Sequence, residues 1–84
     1  MTETESRVIA TIGAVFANKG VPVPHITPET LLDRSLGLAS IDFAELVVRL
    51  EREFKTDPFS AGAISAIRTV RDLASLYQDA ATRV

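Results

Sequence analysis

Five apolar residues, Phe43, Leu46, Val47, Leu50 and Phe54, fall at i, i+3, i+4, i+7 and i+11. An α-helix gathers that spacing onto one face, whereas a strand would scatter it over two. A stripe this wide must be covered, and one helix cannot cover itself. The chain therefore has to fold as helices packed on one another. Charge order supports a helix over residues 40–55: Asp42 and Glu45 come early, and Arg49, Arg52 and Lys55 come late, complementing the helix dipole. Glu45–Arg49 and Glu51–Lys55 are acid-first pairs four residues apart, each contributing about 0.2–0.5 kcal/mol.

Two further stripes supply the partners. Val8, Ile9, Ile12, Val15 and Phe16 predict a first helix over residues 4–19, with Gly20 as its stop signal and Lys19 in its last turn. Gly13 interrupts that stripe and predicts a close approach by another element. Thr69-Val70-Arg71-Asp72 has the pattern of a capping box, so the last helix should start there. Val70, Leu73, Ala74 and Tyr77 would line its inner side, with the Tyr77 hydroxyl at the core edge in water, and residues 80–84 should fray.

The connections are unequal. Residues 20–39 form a long link, in which Val21-Pro22-Val23-Pro24 disfavours helix because each valine precedes a proline. Thr27-Pro28-Glu29 suits the cap of a single helical turn, and Leu31, Leu32, Leu36 and Leu38 should pin the link to the core. Asp57-Pro58 should open a short third helix over Phe59–Ile67, interrupted at Gly62. The expected fold is all-α: a four-helix bundle of three main helices plus one short one. A long loop joins helices one and two, in a single domain spanning residues 1–84.

Composition excludes several functions. With no cysteine there is no disulfide, no thiolate metal site and no cysteine nucleophile, and one histidine leaves no basis for a zinc site. Ser40 has no histidine–acid arrangement beside it, so a serine hydrolase is disfavoured and no catalytic residue is assigned. The net charge of −2 and only two lysines, Lys19 and Lys55, argue against a nucleic-acid footprint. No apolar run is long enough for a membrane span, and the acidic N-terminus lacks the layout of a signal peptide. A discrete, monomeric, cytoplasmic protein is the expectation.

The functional signal is a serine where a coil becomes a helix. Leu36-Gly37-Leu38 is a turn, and Ser40 follows at the start of the second helix, where free amides and the helix dipole favour a phosphate. Serine is also a preferred N-cap, worth about 1 kcal/mol, which is the plainer explanation of Ser40 taken alone.

Four segments carry a resemblance beyond that. They are Arg7-Val8 with Ile12-Gly13, Leu36-Gly37-x-x-Ser40-x-Asp42-x-x-Glu45-Leu46, Leu50-Glu51-x-x-Phe54, and Thr69-Val70-x-Asp72-Leu73. In this order the chain resembles the acyl carrier proteins, the phosphopantetheine-binding carriers. The resemblance implies that Ser40 accepts 4'-phosphopantetheine from coenzyme A through a phosphopantetheinyl transferase. The arm's thiol would then carry acyl groups to ligase and synthase partners. It also implies that Asp42, Glu45 and Glu51, exposed on the second helix, dock basic partner surfaces, where charge steering suits transient delivery.

Ala39-Ser40-Ile41 replaces the family's usual Asp-Ser-Leu, and the charge of −2 is mild for a fatty-acid carrier. Both differences point toward a specialised fatty-acid, polyketide or related pathway. An aminoacyl or peptidyl carrier is the near alternative. An unmodified helical interaction module is the alternative of a different class.

Overall fold

Thr2 sets the start of the first helix. Its Oγ1 accepts from the Glu5 amide at 3.0 Å, and Glu5 Oε1 accepts from the Thr2 amide at 2.8 Å. This reciprocal cap satisfies two amides that the helix itself cannot. The helix α1 then runs Glu3–Lys19 in the computed structural model, which describes residues 1–55 and 67–82. It stops at Gly20, whose φ of 76° is left-handed. The Gly20 amide donates to Ala17 O at 3.0 Å and the Val21 amide to Phe16 O at 3.3 Å, closing the helix end.

Two more helices follow among the described residues, α2 (Ser40–Phe54) and α3 (Val70–Thr82). The predicted capping box on α3 is present: Thr69 Oγ1 accepts from the Asp72 amide at 3.2 Å, and Asp72 Oδ2 accepts from the amides of Thr69 and Arg68 at 3.1 and 3.0 Å. The expected short helix at Phe59–Ile67 falls outside the described residues except for Ile67, which packs half-buried on the core.

The helix α1 packs against both α2 and α3. Val8, Ile12, Val15 and Phe16 meet Leu46 and Leu50 of α2 and Val70, Leu73, Ala74 and Tyr77 of α3. Each large apolar side chain removed from water here contributes about 1.5–3 kcal/mol. Phe43 and Phe54 of the predicted α2 stripe are half-buried and pack on the margin of this core. Tyr77 departs from expectation: it is 0% exposed, not at the core edge. Its ring lies 5.3 Å from that of Phe54, and the Arg7 guanidinium covers Phe54 at 4.8 Å. This stack, closed by a cation–π contact, draws Tyr77 inward.

The long connection is held by main-chain bonds as well as leucines. Residues 27–30 make a hydrogen-bonded turn, not a helical one: the Thr30 amide donates to Thr27 O at 3.0 Å, and the Thr27 amide donates to Thr30 Oγ1 at 2.8 Å. Next, the chain runs antiparallel to the entry of α3, with a bridge between Leu31 and Thr69. The Leu32 amide donates to Arg68 O at 2.8 Å, the Val70 amide to Thr30 O at 3.0 Å and the Arg71 amide to Pro28 O at 2.8 Å. Extended backbone alternates its faces, so Leu32 turns to the core while Leu31 is exposed, contrary to the expected pinning role of Leu31. Ile26, Pro28 and Leu38 are buried from this segment, and Leu36 packs partly buried in a 3-10 turn, Arg34–Leu36. Gly13 meets this link rather than another helix: a Cβ there would lie 3.6 Å from Val23 Cγ1.

Candidate functional site

Gly37 swings the chain into α2. Its φ of 105° is a conformation that side chains resist; a Cβ there would make only an ordinary contact with Phe16 Cε1, at 3.5 Å, so the backbone and not the space calls for glycine. Leu38, buried in the core, anchors the next residue. Ala39 is extended, with φ −85° and ψ 171°, and acts as the N-cap of α2. Its carbonyl accepts from the amides of Asp42 and Phe43 at 3.0 and 3.1 Å. Alanine has no side-chain acceptor, so only one half of a capping box exists: the Ala39 amide donates to Asp42 Oδ2 at 2.8 Å.

Ser40 is therefore the first helical residue and not the cap. The plainer explanation of this serine, as a capping hydroxyl, does not describe its place. Its side chain is exposed, and no hydrogen bond among the described residues engages the hydroxyl. Ala39 beside it is exposed too, and Ile41 is 78% exposed. The hydroxyl thus stands clear of the fold on the first turn of α2.

The same helical turn carries a charge pair that sequence reasoning missed. Lys19 Nζ, at the end of α1, donates to Asp42 Oδ2 at 2.7 Å and to Gly37 O at 3.2 Å. The Lys19 ammonium, and next the Ala39 amide, hold the Asp42 carboxyl below the usual carboxylate range. Asp42 stays ionised and locally balanced. Lys19 was legible only as a helix-end cation; nothing in the spacing shows that α1 ends beside the start of α2.

The expected docking carboxylates are not equally free. Asp42 was expected to be exposed, yet only 9% of it is, because the pair with Lys19 and the Ala39 amide turn it inward. Glu45 is half-buried and pairs with Arg49 at 2.9 Å, as its spacing predicts. Glu51 is half-buried, and its predicted pair with Lys55 does not form among the described residues. Lys55 instead takes a left-handed conformation, φ 55°, at the C-cap. Reading only the inward stripe also missed an outward one. Ile41, Ala44 and Val48 are exposed and share one face of α2, starting beside Ser40. Elsewhere, a groove between α1 and α2 has Arg7, Arg49, Arg52 and Glu53 above Ala10 and Ala14, and Ser40 is not part of it.

The site suits a phosphodiester-linked arm. The hydroxyl is open, the positive end of α2 lies beside it, and Lys19 offsets the carboxylate of Asp42, two residues on. Ser40 would hold the arm, with the first turn of α2 next to its phosphate. When bound, the group supplies a thiol that this cysteine-free chain lacks. Among the described residues no group of histidine and carboxylate side chains could hold a metal ion, and no helix is long and apolar enough to cross a membrane.

Comparison with known proteins agrees with this geometry. Residues 10–77 match the family model described as a phosphopantetheine attachment site. The chain belongs to that family, the phosphopantetheine-binding carriers that include the acyl carrier proteins; the family's prosthetic group is covalent 4'-phosphopantetheine on a serine. Among solved structures it is similar to MacpD, an acyl carrier protein from Pseudomonas fluorescens involved in mupirocin biosynthesis. The two share 40% identity with a TM-score of 0.74, over 87% of this chain and 66% of that one, just under two-thirds of its length. No match was found among curated proteins.

Proposed function

We propose that Ser40 is the phosphopantetheine attachment point and that this chain carries acyl groups as thioesters to partner enzymes. The observation that carries the reading is the Ser40 hydroxyl itself, exposed and unbonded at the first turn of α2 inside the matched segment. The transfer needs a phosphopantetheinyl transferase as partner, and loading needs a ligase or synthase. Likeness to a carrier of mupirocin biosynthesis favours acyl over aminoacyl cargo, and a specialised fatty-acid, polyketide or related pathway.

Docking falls to the outer face of α2, where Ile41, Ala44 and Val48 are exposed and Glu45 and Glu51 are partly so. Apolar contact with a few charges around it fits brief, specific encounters. Asp42 serves docking indirectly, by holding the turn.

The test is intact-mass analysis after incubation with coenzyme A and a broad-range transferase. Wild type should gain one phosphopantetheine and Ser40→Ala none. Because Ser40 is not the cap, the alanine variant should keep its melting temperature. A bare wild type, or an adduct surviving in Ser40→Ala, would refute the assignment.

A further inference from the structure

We propose that Lys19 is a positioning residue for the modification of Ser40, acting through Asp42 and the main chain of the preceding turn; this rests on Ser40 being the attachment point. One ammonium reaches two places, Gly37 O at 3.2 Å and Asp42 Oδ2 at 2.7 Å. The same Oδ2 accepts from the Ala39 amide at 2.8 Å. Main-chain groups on both sides of Leu38 are thereby tied to one ion pair, immediately before Ser40. The anchor is firm at its other end, since Lys19 is the last residue of α1 and the Gly20 cap fixes that terminus. The pair is sheltered, with 31% and 12% of the two side chains exposed, so solvent loosens it less than a surface pair.

The chemistry shows what this support is for. In the transfer a bond forms between Ser40 Oγ and the phosphorus that bears the pantetheine arm. The pyrophosphate P–O bond of coenzyme A breaks, 3',5'-ADP leaves with the electron pair, and the hydroxyl proton passes to a base on the transferase. The nucleophile must be held in line, and small displacements at such a centre are costly. The incoming group is an anion arriving two residues from Asp42. Without Lys19 that carboxylate would be uncompensated and would oppose it.

The experiment compares Lys19→Met, Lys19→Arg and Arg71→Met with wild type, all folded at the assay temperature. Arg71→Met is the control, because it breaks the ion pairs with Glu5 and Glu29 away from Ser40. Initial rates with coenzyme A and a broad-range transferase are read together with amide exchange at Ala39. Lys19→Met should lose about tenfold in kcat/KM, mainly in kcat, while Lys19→Arg stays within about twofold of wild type and Arg71→Met is unaffected. Ala39 exchange should quicken in Lys19→Met alone.

Transfer to Lys19→Met at the wild-type rate, equal slowing by Arg71→Met, or unchanged Ala39 exchange would each overturn the proposal. Ser40→Ala, run in parallel, separates this from failure of the attachment reading: an arm accepted without the Ser40 hydroxyl would remove the premise itself.

Discussion

Glu5 Oε2 accepts from Arg71 Nε at 3.0 Å, joining the first turns of α1 and α3 across 66 positions of sequence. Arg71 Nη2 also donates to Glu29 Oε1 at 2.9 Å, so the same guanidinium holds the long connection. Glu5 is buried, and its carboxyl is held below its ordinary value of 4.5, first by the Thr2 amide and then by Arg71.

The pH dependence of stability follows from that depression. The folded state favours the ionised carboxylate more than the unfolded chain does, so the contribution is complete above the ordinary value. It disappears as pH drops from about 4.5 through the lower folded value. Asp42 and Asp72, depressed from 3.8, lose theirs in the same direction. Thermal melts should therefore be flat near neutrality and fall on acidification. Glu5→Gln should melt lower than wild type at neutral pH, with the gap closing in acid. A gap that persists in acid would show that the charge is not what Glu5 contributes.

Gly13→Ala should stabilise the protein. Gly13 lies inside α1, where glycine costs about 0.5–1 kcal/mol relative to alanine. Among the described residues the added Cβ would meet only Val23 Cγ1, at 3.6 Å, an ordinary contact. Denaturant titration should show a gain of about that size, and a melting temperature raised by about 2–8 °C in a domain this small. A loss would mean that the Val23 segment cannot accommodate a methyl group.

Leu46→Ala should be among the more damaging core changes. Leu46 is 1% exposed and faces α1 from the middle of α2. Such truncations cost about 2–5 kcal/mol, against a total stability of about 5–15 kcal/mol for a domain. Val48→Ala, two residues away on the exposed face, should change stability by no more than about 0.5 kcal/mol. Urea midpoints of the two variants give the comparison directly.

Periodicity made the helices legible, because burial of one face is what repeats a residue type every three or four positions. Leu46 and Leu50, the Gly20 stop and the Thr69–Asp72 cap were all visible for that reason. Ala39 hid the true cap of α2: its amide is served by a side chain three residues downstream, and Ser40 is the residue type that a cap prefers. Thr30 and Arg68 hid the bridge, since two or three ladder bonds leave no alternating pattern long enough to detect. Lys19 meeting Asp42 is a tertiary fact. Both residues sat where the helix dipole alone would put them, so local reasoning had no cause to pair them.

Ile41 and Val48 supply a test of docking that is independent of the Lys19 pair. They are 78% and 46% exposed on α2. Their side chains therefore add little to the folded state, and a charge there removes little from it. A partner that seats on this face would lose apolar contact and have to desolvate a carboxylate, which weakens binding far more than it disturbs the fold. Ile41→Asp and Val48→Asp should melt like wild type. Their transfer kinetics should show a KM raised by about tenfold, or about 1.4 kcal/mol, with kcat little changed. That is the reverse of the pattern expected for Lys19→Met, where the complex forms but the hydroxyl is poorly held. If both aspartate variants keep the wild-type KM, the partner approaches Ser40 from another side of the bundle, and the outward stripe of α2 has no part in recognition.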